Sequence, residues 1–157
     1  MIYTVARELP GTLSTMAAPQ GDLDAVLLAL REQGVDTLVS LLPPEQATAL
    51  HLDDEPHAAR RAGLAFRSLP VPDFGVPDRA EFAGPLRELS DELTAGRHVA
   101  VHCWGGVGRS SLVAAALLVL RGSTAQAAWH RVAYARGVPV PETDEQRDWV
   151  ARLAAGR

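Results

Sequence analysis

Lysine is missing from this chain: all 15 basic residues are arginine, which removes lysine-based Schiff-base chemistry. The arginines are scattered among 19 acidic residues for a net charge of -4, so the clustered basic face of a nucleic-acid binder is absent. Cys103 is the single cysteine, which excludes an internal disulfide and a cysteine-built metal site. A lone thiol fits a reducing compartment, and a cytoplasmic protein is expected. The longest apolar run, Leu112 to Leu120, is too short to span a membrane, and Met1 to Arg7 lacks the charged start and apolar core of a secretory leader. No repeat, linker or low-complexity stretch breaks the chain.

What is present is ordinary globular material. Hydrophobic residues make up 47% and charged residues 22% of 157 positions, enough for one domain over residues 1–157 with a sizeable core, expected as a monomer. Short apolar or β-branched stretches at Tyr3–Val5, Leu13–Met16, Thr37–Leu42, Leu64–Leu69 and His98–Val101 predict strands. Helical periodicity falls between several of them: Asp22–Gln33 with Gly34 as its stop, Glu45–Leu50, Pro56–Ala62, Ser111–Leu120, Thr124–Arg136 ending at Gly137, and Thr143–Ala154. Alternating strands and helices imply a three-layer α/β fold with a central, mainly parallel sheet flanked by helices. Ligands of such folds sit at the carboxyl ends of the strands.

The segment Val101-His102-Cys103-Trp104-Gly105-Gly106-Val107-Gly108-Arg109-Ser110 follows the last expected strand and opens a helix. A loop that curls around an oxyanion must turn several N–H groups inward, and Gly105, Gly106 and Gly108 permit the positive φ this needs. Arg109, just inside the helix, presents a planar fork for two phosphate oxygens that lysine could not match. The helix N-terminus, the inward amides and Arg109 all favour negative charge, hence the thiolate form of Cys103. Ser110 is placed to hydrogen-bond the sulfur. An activated nucleophile beside a phosphate cradle results.

These residues carry a resemblance. The motif HCxxGxxR[ST] over His102–Ser110 is similar to the signature loop of the cysteine-dependent protein tyrosine phosphatases, and the short chain resembles their dual-specificity branch. Within it the chain most resembles the phosphatase associated with cyclin-dependent kinase inhibitor and its bacterial relatives. The likeness runs from about Gly34 to Trp149, most specifically over Val101–Ser110 and more weakly over Leu69–Asp78 and Pro141–Gln146. It implies hydrolysis of phosphomonoesters on a phosphorylated protein or peptide through a cysteinyl-phosphate, without cofactor or metal. In that reading Cys103 is the nucleophile, Arg109 clamps the transition state, and Trp104, Gly105, Gly106, Val107 and Gly108 supply the substrate loop. His102 holds the loop by hydrogen bonds rather than moving protons.

The leaving oxygen needs a proton, and two carboxylates stand upstream, Asp73 and Asp78, in a proline- and glycine-bearing loop. Asp78 has a competing structural role, since with Glu81 three residues on it makes a capping-box pattern ahead of Phe82, Leu86, Leu89 and Leu93, which repeat at helical spacing. Asp73 matches the family's acid position, where this chain has Val71-Pro72-Asp73 instead of the Trp-Pro-Asp of the larger tyrosine-specific members. It is assigned as acid in the first half-reaction and base in the second. Gln146 resembles the family's water-positioning glutamine, while Glu142 replaces the glutamine at the other end of that span.

Two other readings stay open: a phosphate-binding adaptor without turnover, and the same chemistry on a non-protein phosphate ester. His51, Asp53, Asp54, Glu55 and His57 form a polar turn read as a solvated face rather than a metal cluster. Trp129 and Tyr134 read as core or partly buried surface, and Trp104 as part of the pocket rim.

Overall fold

The structure, a computed structural model, describes residues 1–7 and 10–156. In chain order the elements are β1 (Ile2–Ala6), β2 (Thr12–Met16), α1 (Leu23–Glu32), β3 (Thr37–Ser40), α2 (Pro44–Ala49), α3 (Glu55–Arg61), β4 (Ala65–Ser68), α4 (Arg79–Thr94), β5 (His98–His102), α5 (Arg109–Leu120), α6 (Ala125–Arg136) and α7 (Asp144–Ala155). The strands form one sheet in the order β1-β2-β5-β3-β4, with β1 antiparallel and the others parallel. This is the three-layer arrangement read from the sequence. The expected third strand, Thr37–Leu42, stops two residues early at Ser40. Among the described residues no helix is long and apolar enough to cross a membrane.

Alternation along β5 explains the layers. Val99 and Val101 join a core with Leu86, Leu89 and Leu93 of α4, Leu112 and Leu117 of α5, Trp129 of α6 and Trp149 of α7. Ala100 faces the other way, into a core with Leu27 and Leu30 of α1 and Ala58 and Ala59 of α3. The same period of two turns His102 toward α3. Each fully buried leucine of α4 is worth about 2–5 kcal/mol against alanine, so this face alone fixes the helix on the sheet.

Helix starts follow side-chain chemistry. Asp22, Asp78, Thr124 and Thr143 each accept a hydrogen bond from a first-turn N–H of α1, α4, α6 and α7. Gly137 ends α6 in the left-handed region at φ 72°. Helix α5 differs, being buried along its length from Arg109 to Val119. It is apolar almost all round because α4, α6, α7 and the sheet enclose it. Tyr134 departs from the expectation: it is 91% exposed, because α6 buries Ala128, Trp129 and Val132 on its opposite side.

Candidate active site

β5 runs between β2 and β3, so the loop leaving its carboxyl end, residues 103–108, emerges at the middle of the sheet. Cys103 is buried there, and its Sγ lies 3.4 Å from Ser110 Oγ in the first turn of α5. The loop carbonyls have partners outside it. Cys103 O accepts from His102 Nδ1 (3.0 Å), Trp104 O from Ala18 N (3.0 Å) and Gly106 O from Arg136 Nε (2.6 Å). In a trans peptide the N–H points opposite to the C=O, so the amides of Trp104, Gly105 and Val107 are directed away from those partners. All three residues line a cleft of about 300 Å³ shared with Cys103, Asp73, Phe74, Arg109 and Glu142.

The three glycines serve different needs. Only Gly106 takes positive φ, 71°, and a Cβ there would lie 2.7 Å from the backbone of Met16 and Ala17. Gly105 has open space, with no atom within 4 Å of such a Cβ. Gly108 has ordinary φ (-88°) and makes room for a side chain: its Cβ would fall 2.1 Å from Glu142 Oε1. Of the three glycines that permit positive φ, Gly106 alone uses it to curl the loop.

Arg109 is 3% exposed and held from two sides. Its Nη1 donates to Gln46 Oε1 of α2 (2.7 Å) and to Val71 O (3.0 Å), while Nη2 meets Asp73 Oδ1 at 3.1 Å. Asp73 Oδ1 also accepts from Phe74 N at 3.1 Å, and Phe74 sits in the left-handed region at φ 57°. Asp78 lies elsewhere as the cap of α4, its Oδ1 accepting from Glu81 N at 2.9 Å. Of the two upstream carboxylates, Asp73 faces the cysteine cleft.

Gln146 is fully buried. Its Oε1 accepts from Glu142 N (3.0 Å) and its Nε2 donates to Gly75 O (3.3 Å), tying the Pro141–Glu142 segment to the Asp73 loop. His102, also fully buried, contacts Glu55 Oε2 through Nε2 at 2.7 Å. Glu55 therefore corrects the solvated-turn reading: it is 2% exposed at the start of α3, while His51, Asp53, Asp54 and His57 are exposed. Among the described residues no group of three His, Cys, Asp or Glu is placed to hold a metal ion. Sequence reasoning passed over Glu55, Gln46 and Arg136. Each reaches the site from a distant element, and only the turn before α3, a carboxylate beside apolar Leu52 and Ala58, carried a faint signal.

The fold recurs in known proteins. Over 62 residues the chain is 42% identical to cyclin-dependent kinase inhibitor 3 of Sus scrofa, covering 40% of this chain and 29% of that protein. Over 65 residues it is 38% identical to the Homo sapiens protein, covering 41% and 31%. The matched stretch thus spans under a third of these curated relatives. The fold superposes on kinase associated phosphatase carrying serine for its catalytic-site cysteine, with a TM-score of 0.89 at 21% identity over 100% of this chain and 97% of the other. It also superposes on the active form of Tk-PTP, with a TM-score of 0.78 at 25% identity over 98% and 96%. The family model for the Swiss Army Knife protein DSP-PTPase phosphatase domain (PTP-SAK) matches residues 7–149, and the chain belongs to that cysteine-dependent, dual-specificity family of phosphatase domains.

Proposed function

We propose that the chain hydrolyses phosphomonoesters on phosphorylated protein or peptide substrates, with Cys103 as nucleophile. The carrying observation is one cleft that holds the Cys103 thiol, the Arg109 guanidinium and the Asp73 carboxyl together. The phosphate enters over Cys103 and is held by the amides of Trp104, Gly105, Gly106, Val107 and Gly108. Arg109, anchored through Nη1, turns its remaining donors to two phosphate oxygens. That exchange takes Nη2 from Asp73, and the freed carboxyl, once it has taken a proton from solvent, protonates the departing oxygen. Sulfur attacks phosphorus, the P–O bond to the substrate breaks, and a cysteinyl-phosphate remains. Ser110 then stabilises the thiolate as water releases phosphate. The chemistry calls for no metal and suits a reducing, cytoplasmic setting and a monomeric domain.

An adaptor that only captures phosphate needs neither a nucleophile nor an acid, and the convergence of both favours turnover. The loop carries no basic residue between Cys103 and Arg109, which favours protein phosphate over a phosphoinositide. The test is p-nitrophenyl phosphate hydrolysis by wild type, Cys103→Ser and Asp73→Ala, with reductant and no added metal. Wild-type turnover, its loss in Cys103→Ser and a large kcat fall in Asp73→Ala are expected. A folded wild type that hydrolyses no phosphomonoester overturns the reading.

A further inference from the structure

A groove of about 280 Å³ lies between α6 and α7 and shares no lining residue with the catalytic cleft. Ala125, Trp129 and Ala151 give it an apolar surface, and Gln126, His130 and Arg147 give it polar ends. Trp129 is 3% exposed, and its indole N–H has no acceptor among the described residues. Buried polar groups are ordinarily paired, so a donor left open beside a cavity marks the place of a missing acceptor. The other two indoles differ: Trp149 Nε1 donates to Pro77 O at 3.0 Å, and Trp104 stands in the catalytic cleft. A long side chain on a helix leans over the turn before its own Cα, which lays the Trp129 ring over the first turn of α6, where Ala125 and Gln126 line the groove.

Charge points the same way. Thr124 occupies the N–H groups of Ala127 and Ala128, through Oγ1 (3.1 Å) and O (2.9 Å), which leaves those of Ala125 and Gln126 unspent at the positive end of α6. Arg147 is exposed and forms no ion pair with a described residue. No carboxylate lines the groove: Asp144, Glu145 and Asp148, close to Arg147 in the sequence, stay outside it.

We propose that this groove is a second ligand site, for a small carboxylic acid with a flat apolar body. The carboxylate forks onto the Arg147 guanidinium, and one oxygen accepts from the Trp129 N–H as the exposed Gln126 side chain turns aside. The body lies against the indole between Ala125 and Ala151. One guanidinium balances one negative charge, and the apolar floor disfavours the second charge that a phosphate dianion brings. The site therefore takes a different anion from the catalytic cleft. Binding here needs no turnover, so its test is independent of the phosphatase reading.

The three tryptophans supply the readout, because each indole N–H sits in a different place. Indole proton–nitrogen cross-peaks of the isotope-labelled chain, assigned with Trp104→Phe and Trp129→Phe, are followed by NMR as sodium benzoate is added with reductant present. The Trp129 peak shifts downfield and saturates with a dissociation constant of about 1–10 mM, the range for so small a ligand. Arg147→Gln, at an exposed position that leaves the fold intact, weakens the titration about tenfold, and benzyl alcohol, a similar body without the charge, binds as weakly. Inorganic phosphate moves Trp104 and leaves Trp129 still. A Trp129 peak that benzoate does not move overturns the proposal, whether or not Trp104 responds. An equal response to benzyl alcohol, or an unchanged titration in Arg147→Gln, also overturns it by reducing the groove to bare apolar surface. A phosphate response at Trp129 equal to that of benzoate overturns the choice of a carboxylate.

Discussion

Replacing Glu55 separates a hydrogen bond from a charge at the base of the phosphate loop. Cys103 O is a carbonyl and only accepts, so His102 Nδ1 must carry its hydrogen. The 2.7 Å contact between Nε2 and Glu55 Oε2 then requires one proton between them, whichever atom holds it. His102 is 0% and Glu55 2% exposed, so nothing from solvent replaces a lost partner. Glu55→Ala strands the imidazole and opens a void, costing about 3–5 kcal/mol, the usual penalty for removing one member of a buried pair. For a domain of this size that lowers Tm by about 6–20 °C. Glu55→Gln keeps the shape and offers an amide N–H to Nε2, so its loss stays near the net worth of one hydrogen bond, about 0.5–1.5 kcal/mol. Thermal melts of the two variants, with phosphatase activity measured below both transitions, decide between them. Equal destabilisation by Gln and Ala would show that the negative charge, not the hydrogen bond, supports His102 and would refute this account; a harmless Glu55→Ala would do so equally.

Arg109→Lys removes the planar fork that turns two donors to the phosphate, along with its Nη1 anchor on Gln46 and Val71; losing two charge-assisted hydrogen bonds to the transferring group, about 1.5–3 kcal/mol each, predicts a kcat/KM about 10²–10⁴-fold lower in steady-state assays. Gly106→Ala forces an alanine to φ 71° and its Cβ into the Met16–Ala17 backbone, so both Tm and activity fall, whereas Gly105→Ala, with open space and no positive φ, retains both. Burial holds His98 below the ordinary imidazole value of 6.5, with Arg7 adding to that direction and Asp36 opposing it. The unfolded chain therefore binds more protons, and the His98 contribution is complete above pH 6.5 and declines as pH falls through that value. Asp36 is raised by burial but lowered more by the His98 N–H and Arg31, to a net position below 3.8, so its contribution is present above pH 3.8 and lost at lower pH. Urea denaturation at pH 7.5 and 5.5 should show wild type losing stability and His98→Gln losing less; equal losses would remove His98 as the cause.

The strands and helices were legible because their signals are local. Val99 and Val101 alternate with Ala100 and His102 across two apolar cores, and Asp78 with Glu81 marks a helix start that the fold adopts. The loop from Cys103 to Ser110 could be read for the same reason: nucleophile, three glycines, arginine and serine all lie within one strand-to-helix turn. Its glycines were legible in number but not in purpose. The space at Gly108 is demanded by Glu142, a residue 34 positions away.

By itself the sequence determined the elements, the α/β architecture and the identity of the cysteine loop, all products of short-range periodicity and spacing. The tertiary structure alone decided which distant side chains support that loop: Glu55 beneath His102, Gln46 and Asp73 on Arg109, Arg136 on Gly106, and Gln146 bridging Glu142 to Gly75. These are single contacts between elements tens of residues apart. No periodicity announces such a partner, and it becomes definite only when sheet order and helix packing bring the two ends within hydrogen-bonding distance.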